Sequence, residues 1–68
     1  MSIHSNLSTL MGQKRLNIQD VHQKTGLSRN TISNLYYDRV KRIDYETVSK
    51  LCALFECKLD ELLIMTAD

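Results

Sequence analysis

Residues 17–37, NIQDVHQKTGLSRNTISNLYY, leave the chain few choices. Asn17 is a good helix cap, and Asp20 three positions on completes a variant of the capping box, so a helix starts at Ile18. Gly26 stops it, because glycine enters the left-handed backbone region at little cost. Leu27 then supplies an apolar plug, and Ser28 caps a second helix. Val21, Leu27, Ile32 and Leu35 are spaced so that two crossed helices bury them against each other. The pattern predicts a helix-turn-helix over about residues 18–37.

The second helix carries the functional signal. At about 100° per residue, Ile32, Leu35 and Tyr36 fall on one side, the buried one. Asn30, Ser33, Asn34 and Tyr37 fall on the other, with Arg29 and Thr31 at its flanks. This outer face holds amide, hydroxyl and guanidinium groups and no carboxylate. Those groups match base edges: Arg pairs with guanine, Asn with adenine, and Ser or Thr with either. A merely solvated face favours Glu and Lys, which are better helix formers than Asn, Ser and Thr. Local helix stability is given up here, and contact with DNA accounts for the loss.

Charge distribution agrees. The net charge is only +1, but it is unevenly spread. Residues 14–42 hold seven bases (Lys14, Arg15, Lys24, Arg29, Arg39, Lys41, Arg42) against two acids (Asp20, Asp38), a local +5. Residues 43–68 hold Lys50 and Lys58 against Asp44, Glu46, Glu56, Asp60, Glu61 and Asp68, a local −4. The basic pole coincides with the helix-turn-helix, as an electrostatic footprint for phosphates does.

The flanking segments read as helices too. Ile3, Leu7, Leu10 and Met11 follow i, i+4, i+7, i+8, an amphipathic helix over about residues 2–14. Lys14 and Arg15 sit in its last turn, where cations complement the helix dipole and also lie near the next helix. In the second helix, Ile18–Thr25, backbone N–H groups at the amino end together with Asn17 and Gln19 are suited to a phosphate. His22 reads as a partly exposed space-filler rather than a switch, since no acidic partner or second His is positioned near it in sequence. In residues 38–43, DRVKRI, Val40 and Ile43 tuck inward while Arg39, Lys41 and Arg42 face out as a second clamp on the DNA backbone. The Tyr37 hydroxyl can reach phosphate or sugar. Asp44 caps a fourth helix with the stripe Val48, Leu51, Cys52, Phe55, and Asp60 starts a fifth that buries Leu62, Leu63 and Met65. Residues 66–68 form a frayed tail. Sixty-eight residues with two glycines and no proline suit one all-helical domain spanning 1–68.

Other chemistry finds little support. No Gly-rich phosphate loop is present, and Cys52 and Cys57 are five apart, unlike Cys-x-x-Cys zinc or redox sites. His4 and His22 add no ligand spacing. The cysteines read as small core residues in a reducing cytosol. Neither a cofactor, a metal nor a small-molecule ligand is expected. No apolar run nears the ~20 residues of a membrane span and the N-terminus is no signal peptide, so the expected location is cytoplasmic.

The whole pattern resembles the Cro/phage-repressor type of helix-turn-helix, the XRE family, and in particular its single-domain bacterial members. The resemblance is carried by NLSTLM at 6–11, LNIQDVHQKTGLSRNTISNLYY at 16–37 and VSKLCALFECKLDELL at 48–63. It implies an all-α, compact five-helix lambda-repressor-like domain. Residues 28–37 would enter the major groove of double-stranded operator DNA, usually as a homodimer on a palindromic site. On this basis Ser28, Arg29, Asn30, Thr31, Ser33 and Asn34 match the family's recognition helix, and Lys14, Asn17 and Gln19 its phosphate-contacting positions. There are two departures. Ile18 stands where many members carry a Gln that braces recognition-helix side chains, and His22 stands where Ala is usual. The implied function is a DNA-binding transcriptional regulator that represses by occupying its operator. The alternative is an antitoxin or adaptor that binds a partner protein through its acidic half, around residues 56–65.

Overall fold

The computed structural model describes residues 2–67. Its elements are strand β1 (Ser2–Ser5), helices α1 (Leu7–Lys14), α2 (Ile18–Thr25), α3 (Arg29–Tyr36), α4 (Tyr45–Phe55) and α5 (Leu59–Leu62), and strand β2 (Leu63–Thr66). The five helices enclose one apolar core of Leu7, Leu10, Met11, Val21, Leu27, Ile32, Leu35, Leu51, Phe55 and Leu62. Every described helix contributes at least one residue to it, so none of these short helices relies on its own propensity.

Local chemistry sets the boundaries around the central pair. Asn17 Oδ1 accepts the Asp20 N–H at 2.8 Å, and Asp20 Oδ2 accepts the Asn17 N–H at 3.1 Å. Gly26 takes φ 76°, and its N–H closes on the His22 carbonyl at 2.9 Å. Ser28 Oγ accepts the Thr31 N–H at 3.1 Å and opens α3. Asp44 Oδ1 accepts the Thr47 N–H at 2.8 Å and opens α4. These caps stand where the residue types predicted them.

The termini differ from the all-helical expectation. Residues 2–5 form a strand, not the first turn of a helix, and pair antiparallel with β2 in the register Ser2↔Thr66, Ile3↔Met65, His4↔Ile64 and Ser5↔Leu63. Ser, Ile and His are indifferent helix formers, and Ser5 Oγ accepts the Leu7 N–H, so α1 begins only there. Ile3 matched the helical stripe by coincidence; Leu7, Leu10 and Met11 are buried, but Ile3 is exposed. At the other end α5 starts at Leu59, one residue before Asp60, and stops after Leu62. Leu62 is buried and Leu63 half-buried, but Met65 is exposed rather than in the core. Thr66 belongs to β2 rather than to a frayed tail, while Asp68 lies outside the described residues. The fold is mostly helical with a small two-stranded sheet.

The two glycines make opposite demands. A Cβ at Gly12, inside α1, or at Gly26 would meet no atom within 4 Å, but Gly26 needs a positive φ. Gly12→Ala is therefore expected to stabilise by about 0.5–1 kcal/mol. Gly26→Ala should destabilise by about 1 kcal/mol through backbone strain alone. Urea unfolding of both variants checks the pair, and equal shifts of the same sign would contradict the assigned helix end.

Candidate nucleic-acid interface

α3 is anchored from beneath by Ile32 and Leu35, both essentially inaccessible. Packing against α2 and α1 leaves Ser28, Arg29 and Asn30 exposed and Thr31, Ser33 and Asn34 half-exposed. Tyr36, expected on the buried side, is instead exposed beside Tyr37. Their rings meet edge to face with centroids 4.9 Å apart. At that end of α3, Asn17, Ile18 and Gln19 line a shallow depression with both tyrosines, which brings the start of α2 alongside the recognition candidates.

Several candidate side chains are tied to one another. Arg29 Nε donates to Gln19 Oε1 at 2.6 Å. A neutral amide thus fixes the guanidinium without cancelling its charge. The bracing role that Ile18 cannot play is filled by its neighbour Gln19, a relation across ten residues that only the helix crossing reveals. Ser28 Oγ donates to Thr31 Oγ1 at 2.8 Å, so this pair is engaged in the cap as well as near the face. Arg39 donates to Ser33 Oγ at 3.3 Å and lies over the Tyr37 ring at 4.9 Å, a cation–π contact. Arg42 lines a groove with Thr31, Val40 and Ile43 on the other flank. Val40 and Ile43 are half-buried against the core, and Arg39, Lys41 and Arg42 are exposed.

At the start of α2, the Asn17 and Asp20 N–H groups already serve the capping box, and Asp20 brings a carboxylate to that end. Lys14 is exposed in the last turn of α1. All seven basic residues between 14 and 42 are exposed. Among the described residues the ion pairs are His4–Asp38 and Lys50–Glu46, so none of those seven cations is neutralised by a carboxylate.

His22 does more than fill space. Its Nδ1–H donates to the Leu27 carbonyl at 2.6 Å, linking α2 to the turn before α3. Cys52 and Cys57 are half-buried against the core. Burial, with Cys52 and the Glu61 and Asp60 carboxylates nearby, pushes the Cys57 thiol above its ordinary value and away from the reactive thiolate. Among the described residues no three His, Cys, Asp or Glu side chains gather into a metal site, and no helix is long and apolar enough to cross a membrane.

One positioning residue escaped sequence reasoning. Asp38 follows α3 with φ 58°. Its carboxylate accepts the Ser5 N–H and the His4 Nδ1–H, both at 2.8 Å, and so ties the basic segment 39–42 to β1. The partners are 33 and 34 residues away, so no local pattern could point to them. The Ser5 N–H first, and then His4, hold the Asp38 carboxyl below its ordinary value of 3.8. A lowered folded value means that the contact contributes fully above the unfolded value and is lost as pH falls through the folded one. Asn tolerates left-handed backbone, so Asp38→Asn isolates the charge. Melting followed from neutral pH down to about pH 3 should show a smaller acid-induced drop in the variant than in the wild type. Identical drops would mean that the tether does not operate in solution.

No curated protein matches the sequence. Among solved structures the chain is similar to that of a "putative DNA-binding protein" from Bacteroides fragilis, with 16% identity and a TM-score of 0.78. The match covers 91% of this chain and 98% of that one, and it shows a shared fold. The family model for the Cro/C1-type HTH DNA-binding domain matches residues 6–68, taking in α1, the α2–α3 pair and the closing elements. On that match the chain belongs to the Cro/C1-type HTH DNA-binding domain family.

Proposed function

We propose that this protein is a sequence-specific transcriptional regulator that represses by occupying an operator in double-stranded DNA, with α3 in the major groove. The observation that carries the reading is the polar face of α3. It is free of carboxylates, held in place by Gln19 and the Ser28 cap, and flanked by exposed cations without acidic partners. Arg29 and Asn30 read base edges, and Ser28, Thr31, Ser33 and Asn34 complete the surface. Lys14, Tyr37, Arg39, Lys41 and Arg42 contact phosphates, together with Asn17 and Gln19 at the start of α2. Residues 1–68 act as a single domain, in the cytoplasm where operator DNA is reached. Two copies bind a palindromic site, since two-fold protein symmetry reads two-fold DNA symmetry.

Selection of bound sequences from a random duplex library tests this reading. A defined half-site repeated with inverted symmetry is the expected result, and recovery of no preferred sequence would overturn it.

Single substitutions then separate the roles. Arg29→Ala should cost about 1–3 kcal/mol of operator binding and relax preference at one base position. Gln19→Ala should act in the same direction, because it frees the Arg29 fork, and should also weaken binding to unrelated DNA, because its amide contacts phosphate. Arg39→Ala, Lys41→Ala and Arg42→Ala should each weaken operator and unrelated DNA alike, and lower the salt slope by about 1. Titrations at several salt concentrations check both classes. An Arg29→Ala protein with unaltered base preference would show that the register on DNA is wrong.

A further inference from the structure

Cys52 and Cys57 form a pair that the DNA-binding surface does not use. α4 ends in a left-handed turn at Glu56, with φ 51°. There the Cys57 N–H bonds the Cys52 carbonyl at 3.0 Å, and the Glu56 N–H bonds the Ala53 carbonyl at 3.4 Å. This pair of bonds is the Schellman ending of a helix, which brings the side chains at its two outer positions together. Those positions commonly hold an apolar contact. Here both are thiols, within hydrogen-bonding reach of each other. Both are free, and both are half-buried against the core.

The surroundings are anionic. The carbonyl end of an eleven-residue helix is the negative pole of its dipole. The Glu61 and Asp60 carboxylates act on Cys57 from α5, and neither is paired with a base among the described residues. Glu61 Oε1 already receives the Lys58 N–H at 3.1 Å, and among the described residues no third His, Cys, Asp or Glu completes a metal-holding group. The donor set is therefore two sulfurs. Zinc takes four ligands, and calcium and magnesium take six or more, mostly oxygen, so none of them suits the pair. A soft cation content with sulfur does.

We propose that Cys52 and Cys57 bind one soft monovalent cation of the copper(I) class between their two sulfurs. Each thiol releases its proton to solvent as its sulfur bonds the metal, and no electron is transferred. The turn holds both sulfurs on one side before the metal arrives, so the second bond forms at high effective concentration. The Cys57 thiol stays protonated when no metal is bound, which keeps the empty pair inert toward oxidants.

This site does not rest on DNA binding, and its test contains no DNA. The full, reduced chain is titrated in oxygen-free buffer with copper(I) delivered from a coloured copper(I) chelator. One copper per chain is expected, and X-ray absorption should show sulfur neighbours only. Cys52→Ser and Cys57→Ser should each weaken binding at least ~100-fold with the circular dichroism spectrum unchanged. Copper(I) should also raise the melting temperature of the wild type, because it binds the folded turn more tightly than the unfolded chain. That measurement needs no substitution. Failure to take copper from the chelator, two coppers per chain, or undiminished affinity in either serine variant would overturn the proposal. So would copper-dependent linking of two chains in native mass spectra, or a melting temperature lowered by copper.

Discussion

The structure depends on burying one side of an eight-residue helix composed mostly of poor helix formers. α3 is too short and too rich in Asn, Ser and Thr to persist alone. Ile32 and Leu35 hold it down against Val21 and Leu27, and the Ser28 hydroxyl satisfies its first turn. The His22 bond to the Leu27 carbonyl fixes the turn from the other side. With the apolar half and both ends of the turn accounted for, the polar half need not contribute to folding. It is left free for another molecule.

Electrostatics follow the same division. The acids in this region have local tasks: Asp20 receives the Asn17 N–H, Asp38 receives Ser5 and His4, and Asp44 receives Thr47. Arginines, by contrast, lean on neutral acceptors, Arg29 on Gln19 and Arg39 on Ser33. An amide or hydroxyl orients a guanidinium without supplying the opposite charge. The cations therefore keep their field, as attraction to a polyanion requires.

Much of this was legible in the sequence because it is encoded by neighbours. Caps at Asn17, Ser28 and Asp44, the glycine end at Gly26 and the apolar spacing of α2 to α4 all act within four residues. What was not legible acts across the chain. The β-ribbon joins residues about sixty apart, and nothing in SIHS or LIMT alone distinguishes a strand from the edge of a helix. Tyr36 was placed on the inner side by angle alone, but exposure also depends on what lies opposite, and there the end of α3 clears the core. The Asp38 tether and the Gln19–Arg29 bond are not visible in the sequence for the same reason, since both are contacts between elements. The outward placement of Arg39, Lys41 and Arg42 follows from the sequence, but which side chain an arginine leans on depends on the crossing of the helices.

The ribbon has a consequence for how the chain acquires its shape during synthesis. β1 is made before the five described helices, yet its strand partner is β2, at residues 63–66. The α2–α3 pair can assemble from contacts between neighbours, but β1 has to wait until residues 63–66 emerge from the ribosome. Closing so long a loop adds only modest entropy beyond a shorter one, so the delay is one of order rather than of energy. Residues 2–5 are thus translated ahead of the five described helices and lock only after residues 63–66 arrive.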